Sequence, residues 1–147
     1  MRVTALLLLV AAAVGFHLPH AVPARSVRAL RGGSVKAVEI TKGVEFDTVA
    51  REWRMKWSPE DDKKSLQEAQ AVLDATLAEV KALPGVNSVQ RIVCGGCLDF
   101  KVSITQPLEE HGAFMADLAL EEEFMGKLKA IDGTSQHETQ EITFVKM

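Results

Sequence analysis

Three runs of the chain predict an α+β fold with the element order β-α-β-β-α-β. That order is the ferredoxin-like split βαβ arrangement, a four-stranded antiparallel sheet with both helices on one face. The first run is DTVAREWRMKW (47–57), which alternates strictly. The second is an apolar stripe at helical spacing over 59–83. The third is a pair of strand-like runs, 87–94 and 97–105, separated only by Gly95-Gly96.

In 47–57, Val49, Arg51, Trp53, Met55 and Trp57 share one face, and Ala50, Glu52, Arg54 and Lys56 share the other. A period of two with aromatic and branched residues is a strand. SPED (58–61) then opens a helix: Ser58 as cap, Pro59 at the first helical position and Asp61 to complete a capping box. Leu66, Ala69, Leu73, Leu77, Val80 and Leu83 form its buried stripe, and Pro84-Gly85 ends it. The run 87–94 is strand-like. In CLDFKVSIT, Leu98, Phe100, Val102 and Ile104 face one way and Asp99, Lys101, Ser103 and Thr105 the other. The Gly-Gly pair between these runs predicts a two-residue hairpin. Residues 107–131 are helical, with Leu120, Phe124, Leu128 and Ile131 as a stripe and a break expected at Gly112. A polar loop over 132–139 and a last strand over 140–147 complete the order.

The first 37 residues are set apart by composition. They hold five basic residues (Arg2, Arg25, Arg28, Arg31, Lys36) and no acid. ALLLLVAAAV (5–14) is too short for a bilayer, which needs ~20 residues, but suits a signal-peptide core. Small residues in AVG (13–15) place the expected cleavage after Gly15. Residues 16–37 have the composition of an organelle transit peptide. A signal peptide followed by a segment led by Phe16 resembles the bipartite presequences of algae with secondary plastids. That resemblance implies delivery to a plastid, with plain secretion as the alternative. The folded domain is expected over 47–147. The rest of the chain carries 12 basic and 20 acidic residues, a net of −8. Such a body repels nucleic acid and anionic lipid, so neither is expected as a partner, and no membrane span is expected in the mature form.

From Arg51 onward, several pieces resemble one family. REWRMKW (51–57) is similar to the opening strand of the stress-responsive A/B barrel proteins, ALPGVNSV (82–89) to their helix-to-strand turn, and residues 101–131 to their third strand, short helix and long helix. The resemblance implies a dimeric α/β barrel, hence a homodimer that packs its open sheet faces together. Catalytic members that cyclise polyketides resemble FMADLAL (114–120), but place a Tyr at the position of Phe114 and a catalytic His at that of Leu120. A general base needs a proton-accepting atom, and Leu has none. The cyclase chemistry therefore does not carry over, and no catalytic residue, metal or cofactor is expected.

Ligand-pocket candidates are Arg51, Trp53, His111, Phe114, Leu118 and Leu120. Trp53 is as readily a core residue, and His111 as readily a surface one. The runs Glu109-Glu110 and Glu121-Glu122-Glu123 read as solvated helix faces, because consecutive helical residues diverge. Glu52, Arg54, Lys56, Asp99 and Lys101 on the open sheet face are placed to pair across the first and third strands. Cys94 and Cys97 are a candidate redox pair: a plain hairpin tip or a local disulfide are the open readings. No helix follows them to lower a thiol pKa, and too few ligands accompany them for zinc. The first functional reading is non-catalytic binding of a small apolar or aromatic ligand, or a stress-protective role. The alternatives are a cofactor-free cyclase or monooxygenase using His111, and a docking subunit of a plastid assembly using the charged face.

Overall fold

A computed structural model describes residues 36–145 of the chain. The expected signal segment, and all but the last two residues of the transit-like segment, lie outside them. Four strands form one antiparallel sheet: β3 (Thr48–Lys56), β4 (Ser88–Cys94), β5 (Asp99–Pro107) and β6 (Ser135–Phe144), in the spatial order β4-β5-β3-β6. Helices α1 (Glu60–Ala82), α2 (Leu108–Met115) and α3 (Ala119–Lys129) pack on one face. This is the predicted ferredoxin-like α+β architecture, with first and third strands of the repeat side by side. Before it stands a small hairpin outside the predicted element order: β1 (Val38–Thr41) and β2 (Val44–Phe46), turned at Gly43 with φ +77°.

The alternation in β3 does what it predicts. Trp53 and Met55 are buried among Phe100, Val102, Ile104, Leu73, Val80, Phe124 and Leu128, the centre of the core. The rings of Trp53 and Phe124 sit 4.8 Å apart at 36°, a favourable tilted aromatic pair.

Four details differ from expectation. The capping box at Asp61 does not form, because Asp61, Asp62 and Lys63 are left-handed (φ 48°, 53° and 60°). Instead Ser58 Oγ accepts from the Glu60 N–H at 3.1 Å, and Ser65 Oγ accepts from the Ser58 N–H at 2.9 Å. The second helical segment breaks after Met115, not at Gly112, which lies inside α2. The last strand starts at Ser135 and not at 140, because Ser135, Glu138 and Thr139 pair with β3 although they are polar. Finally, Cys94 stands opposite Asp99, so the β4–β5 connection is the four residues 95–98 and not a two-residue turn. Its left-handed residue is Leu98 (φ 58°), not either glycine.

Two turns fix the helix layer. Gly85 (φ 71°) lies so close to α2 that a Cβ there would overlap the Glu110 side chain. Asp47 C=O accepts from the Leu108 N–H at 2.8 Å, tying the start of α2 to the start of β3.

Candidate functional site

The most organised polar region lies on the helix-side face of β3, where Arg51 shares the core face with Trp53. On β6, Thr139 stands opposite Trp53 and Glu141 opposite Arg51. Helix α3 begins at Ala119, which places Glu121 in its first turn. A carboxylate is favoured there by the helix dipole, and here it turns inward and is buried.

Glu121 Oε2 accepts from Arg51 Nε at 2.8 Å and from Trp53 Nε1 at 2.6 Å; Oε1 accepts from an Arg51 terminal nitrogen at 2.7 Å. The result is a two-pronged guanidinium–carboxylate pair, the strong form of a charge-assisted hydrogen bond. Arg51 also donates to Thr139 Oγ1 at 2.9 Å and to Glu141 Oε1 at 3.3 Å. The hydrogen bond to Glu121, foremost, raises the Arg51 pKa above its ordinary value, against the opposing effect of burial. Beyond Glu141 lies His111, its Nε2 3.5 Å from Glu141 Oε2. The His111 Nδ1 is 2.9 Å from Gln106 Oε1. Gln106 is fully buried and its Nε2 donates to the Ile104 carbonyl, so its oxygen is the atom left to accept from the ring. Phe114 stacks over the same ring with centroids 6.4 Å apart.

Trp53, Glu121, Arg51, Glu141, His111 and Gln106 thus form one continuous polar chain. Both Glu121 oxygens are occupied; His111 is bonded through Nδ1 to Gln106, and its Nε2 faces Glu141 at 3.5 Å without a hydrogen bond. Chemically, the chain acts as a clamp between α3, α2 and the sheet. Of the predicted residues, it brings together Arg51, Trp53, His111 and Phe114. Trp53 and Phe114 are buried, and Leu118 and Leu120 sit half-buried at the α2–α3 junction. Leu120 lines a separate shallow cleft with Leu83, Pro84 and Asp117. Glu121 corrects the reading of its run as solvated: Glu122 and Glu123 are exposed, but Glu121 is not. A helix start at Ala119 is the fact that would have singled it out.

On the outer side of the clamp, a cleft of about 310 Å³ runs between α3 and β6. Met125 and Gly126 form its α3 wall, with Lys129, His137, Thr139 and Glu121 around it. His137 is partly withdrawn from solvent; burial pushes its pKa down, against a hydrogen bond with the Leu128 carbonyl.

The opposite sheet face carries the expected charge pairs. Lys56 Nζ is 2.8 Å from Asp99 Oδ1, Arg54 lies 3.7 Å from the same oxygen, and Lys101 lies 3.9 Å from Glu52. Oδ1 makes no well-directed hydrogen bond, so its stabilisation is the nearby positive charge. Lys56 above all holds the Asp99 carboxyl below the usual carboxylate range. At the tip of this face, Cys94 and Cys97 are joined in a disulfide with Cα atoms 5.5 Å apart. Among the described residues, no group of three or more His, Cys, Asp or Glu is placed to hold a metal ion.

No protein-family model matches the chain, and no curated protein sequence does. Solved structures do. A proposed antibiotic biosynthesis monooxygenase from Caulobacter crescentus superposes with a TM-score of 0.52 at 13% identity, covering 69% of this chain and 92% of that one. SnoaB, a cofactor-independent oxygenase from Streptomyces nogalater, gives 0.47 at 19% identity over 69% and 96%. A de novo designed protein with a ferredoxin fold gives 0.42 at 17% identity over 67% and 86%. At 13% identity the Caulobacter likeness supports the fold and carries no chemistry.

Proposed function

We propose that the chain is a non-catalytic binding module of the stress-responsive A/B barrel type, and that it holds a small molecule with an apolar or aromatic body in the α3–β6 cleft. The observation that supports this most is the pairing of a locked interior with an accessible seam. The polar residues nearest the core are engaged with one another through Arg51–Glu121 and Trp53–Glu121. The cleft beside them, about 310 Å³, lies at the lower end of small-molecule sites. Met125 and Gly126 offer an apolar wall; Lys129 and Glu122 supply orienting polar groups. In this reading the protein works as a homodimer in the plastid; secretion is the alternative route.

A fluorescence titration with a neutral naphthylamine dye tests the cleft. A Cβ at Gly126 meets open space, so Gly126→Leu fills the cleft without disturbing the core. The wild type is expected to bind the dye saturably, and Gly126→Leu to bind at least tenfold more weakly at a melting temperature no lower than that of the wild type, since Leu is the better helix former. Equal binding by both removes the cleft as the site.

A second reading, a cofactor-free cyclase or monooxygenase, is favoured by one feature: the His111 ring is oriented between Gln106 and Glu141, as a general base must be. Oxygen uptake with a polyphenol substrate, abolished in His111→Gln, distinguishes it from binding alone.

A further inference from the structure

We propose that Cys94 and Cys97 form a thiol–disulfide exchange site, reducible by a vicinal protein dithiol, whose redox state sets the conformation of the β4–β5 tip and the seating of Trp57. The pair is bridged across Gly95 and Gly96. Cys97 is exposed and Cys94 half-buried. Between them, Gly95 and Gly96 leave open space where side chains would stand, so a bulky protein nucleophile meets no obstruction on that side.

The surroundings make the two sulfurs unequal. The Cys97 backbone N–H points at Cys94 Sγ at 3.0 Å, a donor for negative charge on that sulfur. Asp99 Oδ2 lies 3.3 Å from Cys97 Sγ and disfavours negative charge there. Exchange is fastest when the better-stabilised thiolate leaves. The attacking thiolate therefore bonds to Cys97 Sγ, the S–S bond breaks, and its electron pair departs with Cys94 Sγ, which then takes a proton. The second thiol of the reductant attacks the mixed disulfide and releases Cys97 as a thiol. Two electrons and two protons pass from the dithiol to this chain, and the reductant becomes the disulfide.

The tip is coupled to the core through backbone atoms of the same loop. The Leu98 carbonyl accepts from the Trp57 N–H at 2.9 Å, and the Asp99 carbonyl from Trp57 Nε1 at 3.3 Å. Lys56 Nζ donates to the Cys97 carbonyl at 2.7 Å. Leu98 is left-handed, a conformation uncommon for residues other than glycine. Leu98 directly follows the bridged Cys97, so the disulfide fixes the residue on its N-terminal side. Opening the bridge frees Leu98 to leave that region and to withdraw the carbonyl that Trp57 uses.

The test uses the full chain purified without reductant. Alkylation under denaturing conditions should add no label before reduction and two labels after it, and an equimolar amount of reduced thioredoxin should convert at least half of the protein. Thioredoxin whose resolving cysteine is replaced by serine should be trapped on Cys97 in the peptide map. Reduction should shift the tryptophan emission of the wild type, and the shift should disappear in Trp57→Phe, which retains Trp53. Free thiols in the unreduced protein, resistance to thioredoxin, or trapping on Cys94 overturns the exchange site. Reduction with no emission change overturns its coupling to Trp57.

Discussion

Replacing Glu121 by Gln removes the charge of the clamp and little else, since the two side chains have nearly the same shape. The amide keeps one acceptor and turns the other into a donor, which must then face an N–H of Arg51 or Trp53. Removing one partner of a buried ion pair costs about 3–5 kcal/mol. Arg51 keeps 12% of its side chain exposed and retains Glu141 at 3.3 Å, so about 2–4 kcal/mol is the figure for this site. For a domain of roughly a hundred residues that is a fall of about 10–20 °C in melting temperature. The double variant Arg51→Met with Glu121→Gln removes both charges and keeps an amide oxygen to accept from Trp53 Nε1, so it should exceed Glu121→Gln alone in stability by about 1 kcal/mol or more. Urea unfolding followed by circular dichroism reads both, with an unchanged slope as the check that only stability moved. A loss below about 0.5 kcal/mol in Glu121→Gln, or a double variant as unstable as the single, would refute the clamp.

Three other outcomes follow from named contacts. Asp99 has a lowered folded pKa, so its contribution is full above the unfolded value of about 3.9 and is lost as pH falls from there through the folded value; Asp99→Asn should flatten that part of an acid titration of stability. His137 is also lowered, so the unfolded chain takes the proton first, and stability should decline as pH falls from about 6.5 toward the folded value; His137→Gln removes that slope in the same titration. Gly85→Ala sets a Cβ into the Glu110 side chain at positive φ and should destabilise by about 1–3 kcal/mol, measured by thermal unfolding.

The strands and the long helix were legible because each writes a period. Val49, Trp53 and Met55 had to share a face, and the core contains all three. The cross-strand charges of Lys56 and Asp99 were legible for the same reason, since register on an alternating strand sets which side chains meet. What escaped depends on contacts distant in sequence or on single backbone torsions. Glu121 belongs to a run of three acids, and only the start of α3 decides which one turns inward. Glu138 and Thr139 looked like loop residues because they are polar, and they are strand because β3 lies beside them. The Gly95-Gly96 pair suggested a tight turn, whereas the chain bends at Leu98, between the disulfide and the anchor on Trp57. The hairpin of β1 and β2 carried a turn cue in Gly43, but its strands are too short to show a period.

The central claim is that the module carries a small ligand. Native mass spectrometry of the protein isolated from its source, with no ligand added, tests it most directly. A stoichiometric small organic compound should be retained on the folded chain and displaced by the naphthylamine dye. A chain that carries nothing and also fails to bind the dye would contradict it.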